Sequence, residues 1–383
     1  MRQAVLILGH SYATQFIDIF NQYTHLFQKK DYEVTVAYLT GEPDQTVKER
    51  TIAEHVLFLN QSKKSVRSLK IFATLKLLAL CKEKKFQIVI CHRYKPIYIM
   101  MWIAQFYKIS AMIGVMHELK TMSSFGRRLL IACLRRKNML FAGVSNAVRD
   151  DLRKSLWFVP SKQIVTLYNV IDVEMTEPSL LTRDQARSML NLPPDAFVFG
   201  NIARLASNKD HASLIKAFAL IAHHSNIKMI IIGEGELQTR LQKLVQEEKL
   251  ENHILFTGFL PQAARYMKAF DCFILSSIQE AFGRVLLEAM IAKLPIIATE
   301  VNGIPEVLAN VGYLVQAKDI TGLSEAMKKI VQTSEQEKIN QGEQAYQRVL
   351  QYYSIPIFIK DFWQLPLLQT LRVYNAHCFY NDI

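Results

Sequence analysis

Two glutamates eight positions apart, Glu280 and Glu288, stand in the stretch Ser276-Ser277-Ile278-Gln279-Glu280-Ala281-Phe282-Gly283-Arg284-Val285-Leu286-Leu287-Glu288-Ala289-Met290. The apolar run before it predicts a strand ending at Ser276, and the pattern after it predicts a helix starting near Gly283. A helix start leaves its first N–H groups unpaired, and a glycine lets a ligand come close to them. The backbone of Phe282, Gly283, Arg284 and Val285 is therefore a candidate seat for a diphosphate. Carboxylates do not bind phosphate, so Glu280 and Glu288 would serve neutral hydroxyls, each able to accept two hydrogen bonds from a vicinal diol. On that reading Glu280 meets a transferred sugar and Glu288 a ribose. The residues alone equally allow a loop residue and a helix-end charge, the latter paired with Arg284.

A second candidate lies in Asn201-Ile202-Ala203-Arg204-Leu205-Ala206-Ser207-Asn208-Lys209-Asp210-His211, directly after another predicted strand. Arg204 offers a planar fork and Lys209 a point charge, which together suit a pyrophosphate; a solvated basic loop is the other reading. Gly233-Glu234-Gly235 and Asn302-Gly303-Ile304-Pro305-Glu306 also follow strands, each unremarkable alone as turn chemistry. Nearer the N-terminus, Gly9-His10-Ser11, Cys91-His92-Arg93-Tyr94-Lys95-Pro96 and His117 close further strands. The Cys91 to Pro96 segment reads as an acceptor-holding loop or as a surface turn. No Asp-x-Asp pair follows any predicted strand, so neither a metal nor another cofactor is expected. Arg204, Lys209 and the helix end would supply the positive charge instead.

The Glu280 to Glu288 segment resembles the Glu, seven residues, Glu signature of glycosyltransferase family 4 (group 1), retaining transferases of the GT-B fold. Arg204 to Lys209 is similar to the family's Arg-Leu…Lys loop, with Ala203 and Asp210 where glycines are frequent. Gly233-Glu234-Gly235 resembles its Gly-x-Gly turn, and Asn302 to Glu306 its Gly-Gly-x-Pro-Glu loop with one glycine lost. Gly9 stands where a glycine-rich loop near the donor is common, and His117 where many members carry a histidine near the reacting sugar. Ser145-Asn146-Ala147-Val148 and Tyr168-Asn169-Val170-Ile171-Asp172 are similar to the family's serine loop and inter-domain linker. The resemblance implies catalytic roles for Glu280, His117, Arg204 and Lys209. It implies donor contacts from Gly9, Arg204, Lys209, Gly233, Phe282 to Val285, and Glu288. The implied reaction moves a sugar from a UDP- or GDP-sugar to a hydroxyl of a lipid-linked glycan, such as a lipopolysaccharide core or O-antigen precursor, with retention. An epimerase or hydrolase of the same fold is an alternative within enzymes. A basic nucleic-acid-binding protein is one outside them, but it leaves the carboxylates and glycine loops without a role.

The elements that must hold these loops are legible as two series. Seven short apolar runs extend from Ala4–Gly9 to Ile164–Asn169, and six more from Phe197–Ala203 to Tyr313–Val315, with helical stretches between them. Such alternation predicts α/β architecture: two Rossmann-like, doubly wound parallel sheets, facing a central cleft in the GT-B arrangement. The 383 residues suit two domains. Residues 1–173 would form the acceptor side and 174–352 the donor side, and an aromatic tail, 353–383, interrupted by Pro356 and Pro366, would pack back on the first. No Gly-x-Gly-x-x-Gly follows the first strand, which argues against a dehydrogenase.

Five scattered cysteines exclude a disulfide framework and a zinc site, and suit the cytoplasm. The opening apolar run is too short for a signal core. Ile97 to Met116 is apolar enough to suggest a span, but Gln105 and Lys108 interrupt it, so a buried helix followed by a strand is expected. Residues 1–173 carry 26 Lys and Arg against 12 Asp and Glu, a net +14 within a chain total of +12. Basic residues flank apolar helical stretches at Lys63 to Lys70, at Arg127-Arg128 and at Arg135 to Lys137. That composition predicts peripheral attachment to an anionic membrane surface at the cytoplasmic face of the inner membrane.

Overall fold

Among the described residues, thirteen runs of β-branched and other apolar residues form parallel strands; those inside each sheet are buried from both faces, as their near-continuous hydrophobicity requires, and those at the sheet edges are partly exposed. The structure is a computed structural model that describes residues 2–12, 14–61, 71–222, 226–369 and 371. The basic segment Lys63 to Lys70 and the last cysteine, Cys378, lie outside the described residues.

The chain divides into two compact units, one holding residues up to Asn169 together with those from Ile355 on, the other Val170–Ser354. In the first, β1 (Gln3–Gly9), β2 (Tyr32–Tyr38), β3 (His55–Phe58), β4 (Ile88–His92), β5 (Ala111–Met116), β6 (Met139–Gly143) and β7 (Ile164–Thr166) run in the order β3-β2-β1-β4-β5-β6-β7. The path moves outward from β1 to β3, then crosses back to β4 and continues the other way. Right-handed crossovers then place helices Thr14–Thr24 and Gln45–Arg50 on one face of the sheet. Helices Ile71–Lys84, Tyr94–Ile103, Phe125–Leu134 and Asn146–Ser155 cover the other. The Tyr94–Ile103 helix buries Pro96, Ile97, Ile99, Met100, Met101 and Ile103, so its apolarity belongs to a core. β7 is shorter than its apolar run because it is an edge strand whose single neighbour, β6, stops at Gly143.

Helix Ile355–Trp363 docks on this unit through aromatic contacts. Phe358 meets Tyr23 at a centroid distance of 5.1 Å, Phe362 and Trp363 close around Phe27, and the Trp363 indole donates to the Leu26 carbonyl at 3.1 Å. Full burial of such side chains contributes roughly 2–3 kcal/mol each. Pro356 does not interrupt the helix as expected; it sits in the first turn, where a missing N–H costs nothing.

In the second unit β8 (Phe197–Ile202), β9 (Ile227–Ile232), β10 (Ile254–Gly258), β11 (Cys272–Leu275), β12 (Ile296–Thr299) and β13 (Tyr313–Val315) are ordered β10-β9-β8-β11-β12-β13. The winding reverses between β8 and β11. Thr182 and Gln185 form a capping box at the start of helix Arg183–Met189. From it Arg187, 3% exposed, reaches Asp271 Oδ2 at 2.7 Å and the carbonyls of Pro193, Pro194, Ala196 and Ala269. A buried guanidinium is tolerable only with its donors filled in this way.

Candidate functional site

In an open parallel sheet, ligands bind beyond the carboxyl ends of the strands where the winding reverses. In the second unit that point lies after β8 and β11, and the two loops there are bonded to each other. Ile278 N donates to the Asn208 carbonyl at 2.9 Å, Ser276 Oγ to the Lys209 carbonyl at 2.9 Å, and Asn208 Nδ2 to the Gln279 carbonyl at 3.4 Å. Lys209 Nζ forms an ion pair with Glu280 Oε2, both side chains being 16% exposed, and Ser277 Oγ donates to the same oxygen at 3.2 Å. Two of the residues singled out in the sequence are thus in contact although 71 positions apart.

The other two loops close the arrangement. Asn302 Oδ1 accepts from Glu280 N at 3.2 Å, and Gly303 N donates to the Glu280 carbonyl at 3.1 Å. On the β9 side, Leu205 N donates to the Glu234 carbonyl at 2.9 Å and Ala203 N to that of Ile232 at 3.1 Å. A Cβ on Gly233 would stand 2.0 Å from the Ala203 carbonyl oxygen, so only glycine permits this approach. The loops after β8, β9, β11 and β12, which carry the four sequence motifs of this half, therefore form one hydrogen-bonded assembly. Arg204 is exposed beside it.

Helix Arg284–Ile291 begins here, with Gly283 as its N-cap at φ 85°, a left-handed conformation that glycine adopts without strain. Phe282 is buried against Tyr353, while Arg284, Val285 and Glu288 are partly exposed. The short helix Ile304–Leu308 is held from below: Arg348 donates to the Glu306 and Val307 carbonyls at 2.8 and 2.7 Å, and the Tyr353 hydroxyl to Glu306 at 2.8 Å.

Sequence reasoning gave Asn201 and His211 no role. Asn201 Nδ2 donates to the Ile274 carbonyl at 2.8 Å, clamping β8 to β11, while its Oδ1 lies 3.1 Å from His211 Nε2. Both are 1% exposed, and burial, with a smaller push from Lys209, lowers the His211 pKa to about 4. A base whose folded pKa lies below its unfolded value near 6.5 contributes stability that is complete above pH 6.5. That contribution falls away as the pH drops toward 4. Stability against thermal unfolding should therefore fall as the pH drops across this window, by at most about 1.4 kcal/mol per pH unit from this group. The slope should be smaller in His211→Gln, and an identical slope in the variant would remove His211 from the account.

In the first unit His117 follows β5 and meets His92, the last residue of β4, at 3.0 Å between Nε2 and Nδ1. His92 is 1% exposed and enclosed by Phe20 and Tyr23, and burial holds its pKa well below the usual histidine range. Gly9 is buried at the end of β1 with the Phe20 ring packed on it. His10 Nε2 lies 3.4 Å from Lys95 Nζ. Burial, then Lys95 and Arg93, lowers the His10 pKa to about 4. Arg93 pairs with Glu118 at 3.0 Å and covers the Phe16 ring. The segment from Cys91 to Pro96 is thus partly core, through Cys91, His92 and Pro96, and partly edge, through Arg93 and Lys95. Among the described residues, three acidic, histidine or cysteine side chains gather within ligand distance of one another only at Glu33, Glu54 and His55, near the opposite edge of this sheet. Arg2 already binds Glu54 there with two hydrogen bonds, at 2.7 and 2.8 Å.

Residues 182–348 match the family described as glycosyl transferases group 1, and residues 22–175 match glycosyltransferase family 4. One relative, an N-acetyl-alpha-D-glucosaminyl L-malate synthase of Bacillus anthracis, is 30% identical over 51% of this chain and 51% of its own. Another, from Campylobacter jejuni, is an N-acetylgalactosamine-N,N'-diacetylbacillosaminyl-diphospho-undecaprenol 4-alpha-N-acetylgalactosaminyltransferase. It is 28% identical over 60% of this chain and 62% of its own length. The chain thus spans roughly half to three fifths of these curated relatives. Among solved structures, Anabaena Alr3699/HepE in complex with UDP superposes with a TM-score of 0.78 at 17% identity, covering 94% of this chain and 98% of its own, a likeness of fold.

Proposed function

Because the chain belongs to the group 1 transferases of glycosyltransferase family 4 and has their GT-B fold, we propose that it transfers a sugar from a nucleotide diphosphate sugar to a hydroxyl of a lipid-linked glycan. The observation that carries this reading is the Lys209–Glu280 pair inside the bonded loops after β8 and β11. A cation for the diphosphate and a carboxylate for the sugar hydroxyls stand side by side, next to the N-terminus of the Arg284–Ile291 helix. Arg204 and Lys209 stabilise the departing diphosphate, Glu280 orients the sugar and Glu288 holds the ribose. His117 is assigned to the reacting sugar on the family resemblance alone. UDP- or GDP-sugars are the proposed donors, and the UDP bound by the Anabaena protein of the same fold supports the first.

The acceptor reading draws on the diphospho-undecaprenol substrate in the name of the Campylobacter relative, and a lipopolysaccharide core or O-antigen precursor fits the same chemistry. Transfer proceeds with retention and without a metal ion. The protein works at the cytoplasmic face of the inner membrane as a peripheral protein; among the described residues no helix is long and apolar enough to cross a bilayer.

A thermal-shift screen of UDP-, GDP- and ADP-sugars, run with and without EDTA, tests the donor and the metal together. A ligand held only by the native state at a hundred times its Kd adds about 2.7 kcal/mol of stability. One donor class should raise the melting temperature equally in both buffers, and transfer with that donor should survive EDTA. Activity abolished by EDTA and restored by Mg²⁺ or Mn²⁺ would sink the metal-free model.

A further inference from the structure

Charge in the first unit is segregated between the two faces of its sheet. Residues 2–61, which supply β1 to β3 and the helices of one face, hold 5 Lys and Arg against 7 Asp and Glu. Residues 71–163, which supply the four helices of the other face, hold 17 against 4. A net of −2 thus stands against +13, so the positive charge lies in the segments that build one side of the sheet and in the strand-to-helix junction leading into it, where Arg93 and Lys95 stand.

The same side is apolar where it has no packing reason to be. Helix Ile71–Lys84 buries Ala73, Leu77 and Cys81, yet its opposite stripe carries exposed Ile71, Phe72 and Leu75, with Phe72 80% exposed. Helix Phe125–Leu134 repeats this, burying Ile131 and Leu134 while exposing Leu129 and Phe125, the latter by 71%. A helix needs one apolar stripe to join a core; a second, facing outward, has no partner among the described residues of the unit. Phe106 and Trp157, both exposed, follow the C-terminal ends of the neighbouring helices Tyr94–Ile103 and Asn146–Ser155. Large apolar side chains therefore stand at both ends of one basic helical layer.

We infer that this layer lies flat on an anionic bilayer, with Phe72, Leu75, Phe106, Phe125, Leu129 and Trp157 inserted below the headgroups and the lysines and arginines around them meeting lipid phosphates. The inference rests on the lipid-linked acceptor proposed above and adds the surface and the manner of attachment. Positive charge selects the anionic surface, while insertion of aromatic and leucine side chains resists salt. A nucleic acid would use the charge but leave the leucines exposed; a lipid surface uses both.

The test measures partition of the full-length chain onto vesicles without donor or acceptor. Mixed phosphatidylglycerol–phosphatidylcholine vesicles should bind it at least about tenfold better than pure phosphatidylcholine. Part of that binding should survive at about 1 M salt, where the screening length has shrunk to about 3 Å. Lipids brominated in the acyl chain should quench Trp157, as judged against Trp157→Phe. Combining Phe72→Ser, Leu75→Ser, Phe125→Ser and Leu129→Ser should weaken low-salt binding by about tenfold or more and make the remainder fully salt-releasable. The variant should keep the parent's circular dichroism, melting temperature and thermal shift with donor nucleotide, since all four positions are exposed. A normal donor shift with equal vesicle binding by parent and variant, or with no bromine quenching, overturns the insertion and leaves the donor reading standing. A parent dimer that the variant renders monomeric overturns it in favour of a second copy of the chain on this face. Loss of the donor shift in the parent, with vesicle binding intact, strikes the catalytic reading instead.

Discussion

Alanine at Lys209 should lower turnover by about 10²–10³, the loss typical when one preorganised donor to a developing anion is removed. Negative charge grows on the diphosphate as the glycosidic bond breaks, so a cation aimed at it gains more in the transition state than in the bound ground state. Lys209 is well placed for this because it is mostly buried and already fixed by its pair with Glu280, so little reorganisation precedes the reaction. Its removal has a second consequence. Glu280 would be left with Ser277 Oγ as its side-chain partner, an under-compensated carboxylate facing an incoming diphosphate. Lys209→Ala should therefore weaken donor binding as well, and Lys209→Ala with Glu280→Gln should recover part of that affinity while turnover stays low. Arg204→Ala lacks this second cost, because Arg204 is exposed, and should act on turnover with little change in donor affinity. Steady-state kinetics with calorimetric binding of the nucleoside diphosphate separate these cases. Full turnover in both single variants would place the diphosphate elsewhere.

The architecture was legible because parallel strands buried on both faces must be written as apolar runs, and thirteen such runs appear in two series. The Ile97 to Met116 stretch shows the same logic, since one helix and one strand, both core, share its hydrophobicity. Ends of elements were less legible. β7 stops where its neighbour stops, and Pro356 opens a helix because the tail is shaped by the aromatic surface it meets. Local motifs also named the four loops of the candidate site, since each is a strand exit with its own glycines and charges. What they could not show is closure between loops. The Lys209–Glu280 pair, the Asn201 clamp across to Ile274 and the His92–His117 contact each join residues brought together only by strand order. Asn201 looked like a strand residue and His92 like one polar group among several, because a side chain's partner across a sheet leaves no mark in its own neighbourhood. Arg187 and Asp271 were silent for the same reason: 84 positions separate them.

Glutamine at Glu280 and at Glu288 should give two different defects, and the difference is the sharpest test of the site. Glu280→Gln keeps the size of the side chain but loses a charged acceptor for the sugar hydroxyls, so transfer should fall steeply. In the proposed site that carboxylate bonds to the sugar and stands near the diphosphate without bonding to it, so the affinity for the nucleoside diphosphate alone should stay near the parent's. A modest gain is also consistent, since Lys209 is released from its ion pair and a negative charge leaves the diphosphate's surroundings. Glu288 lies one turn into the Arg284–Ile291 helix, partly exposed, and its proposed ribose contact exists equally before and during the reaction. Uniform binding of that kind affects KM and not kcat. Glu288→Gln should thus weaken the nucleoside diphosphate and the intact donor together, by about 1.5–3 kcal/mol, or roughly 10- to 150-fold, for one charge-assisted hydrogen bond. Neither change should unfold the second unit, because its core packs through Phe199, Phe218, Ile231 and Ile274 on the strands and helices behind the site. If both glutamine variants are folded and transfer sugar like the parent, then Glu280 and Glu288 are a loop anchor and a helix-end charge. The bonded loops around them would then hold the fold together without serving a donor.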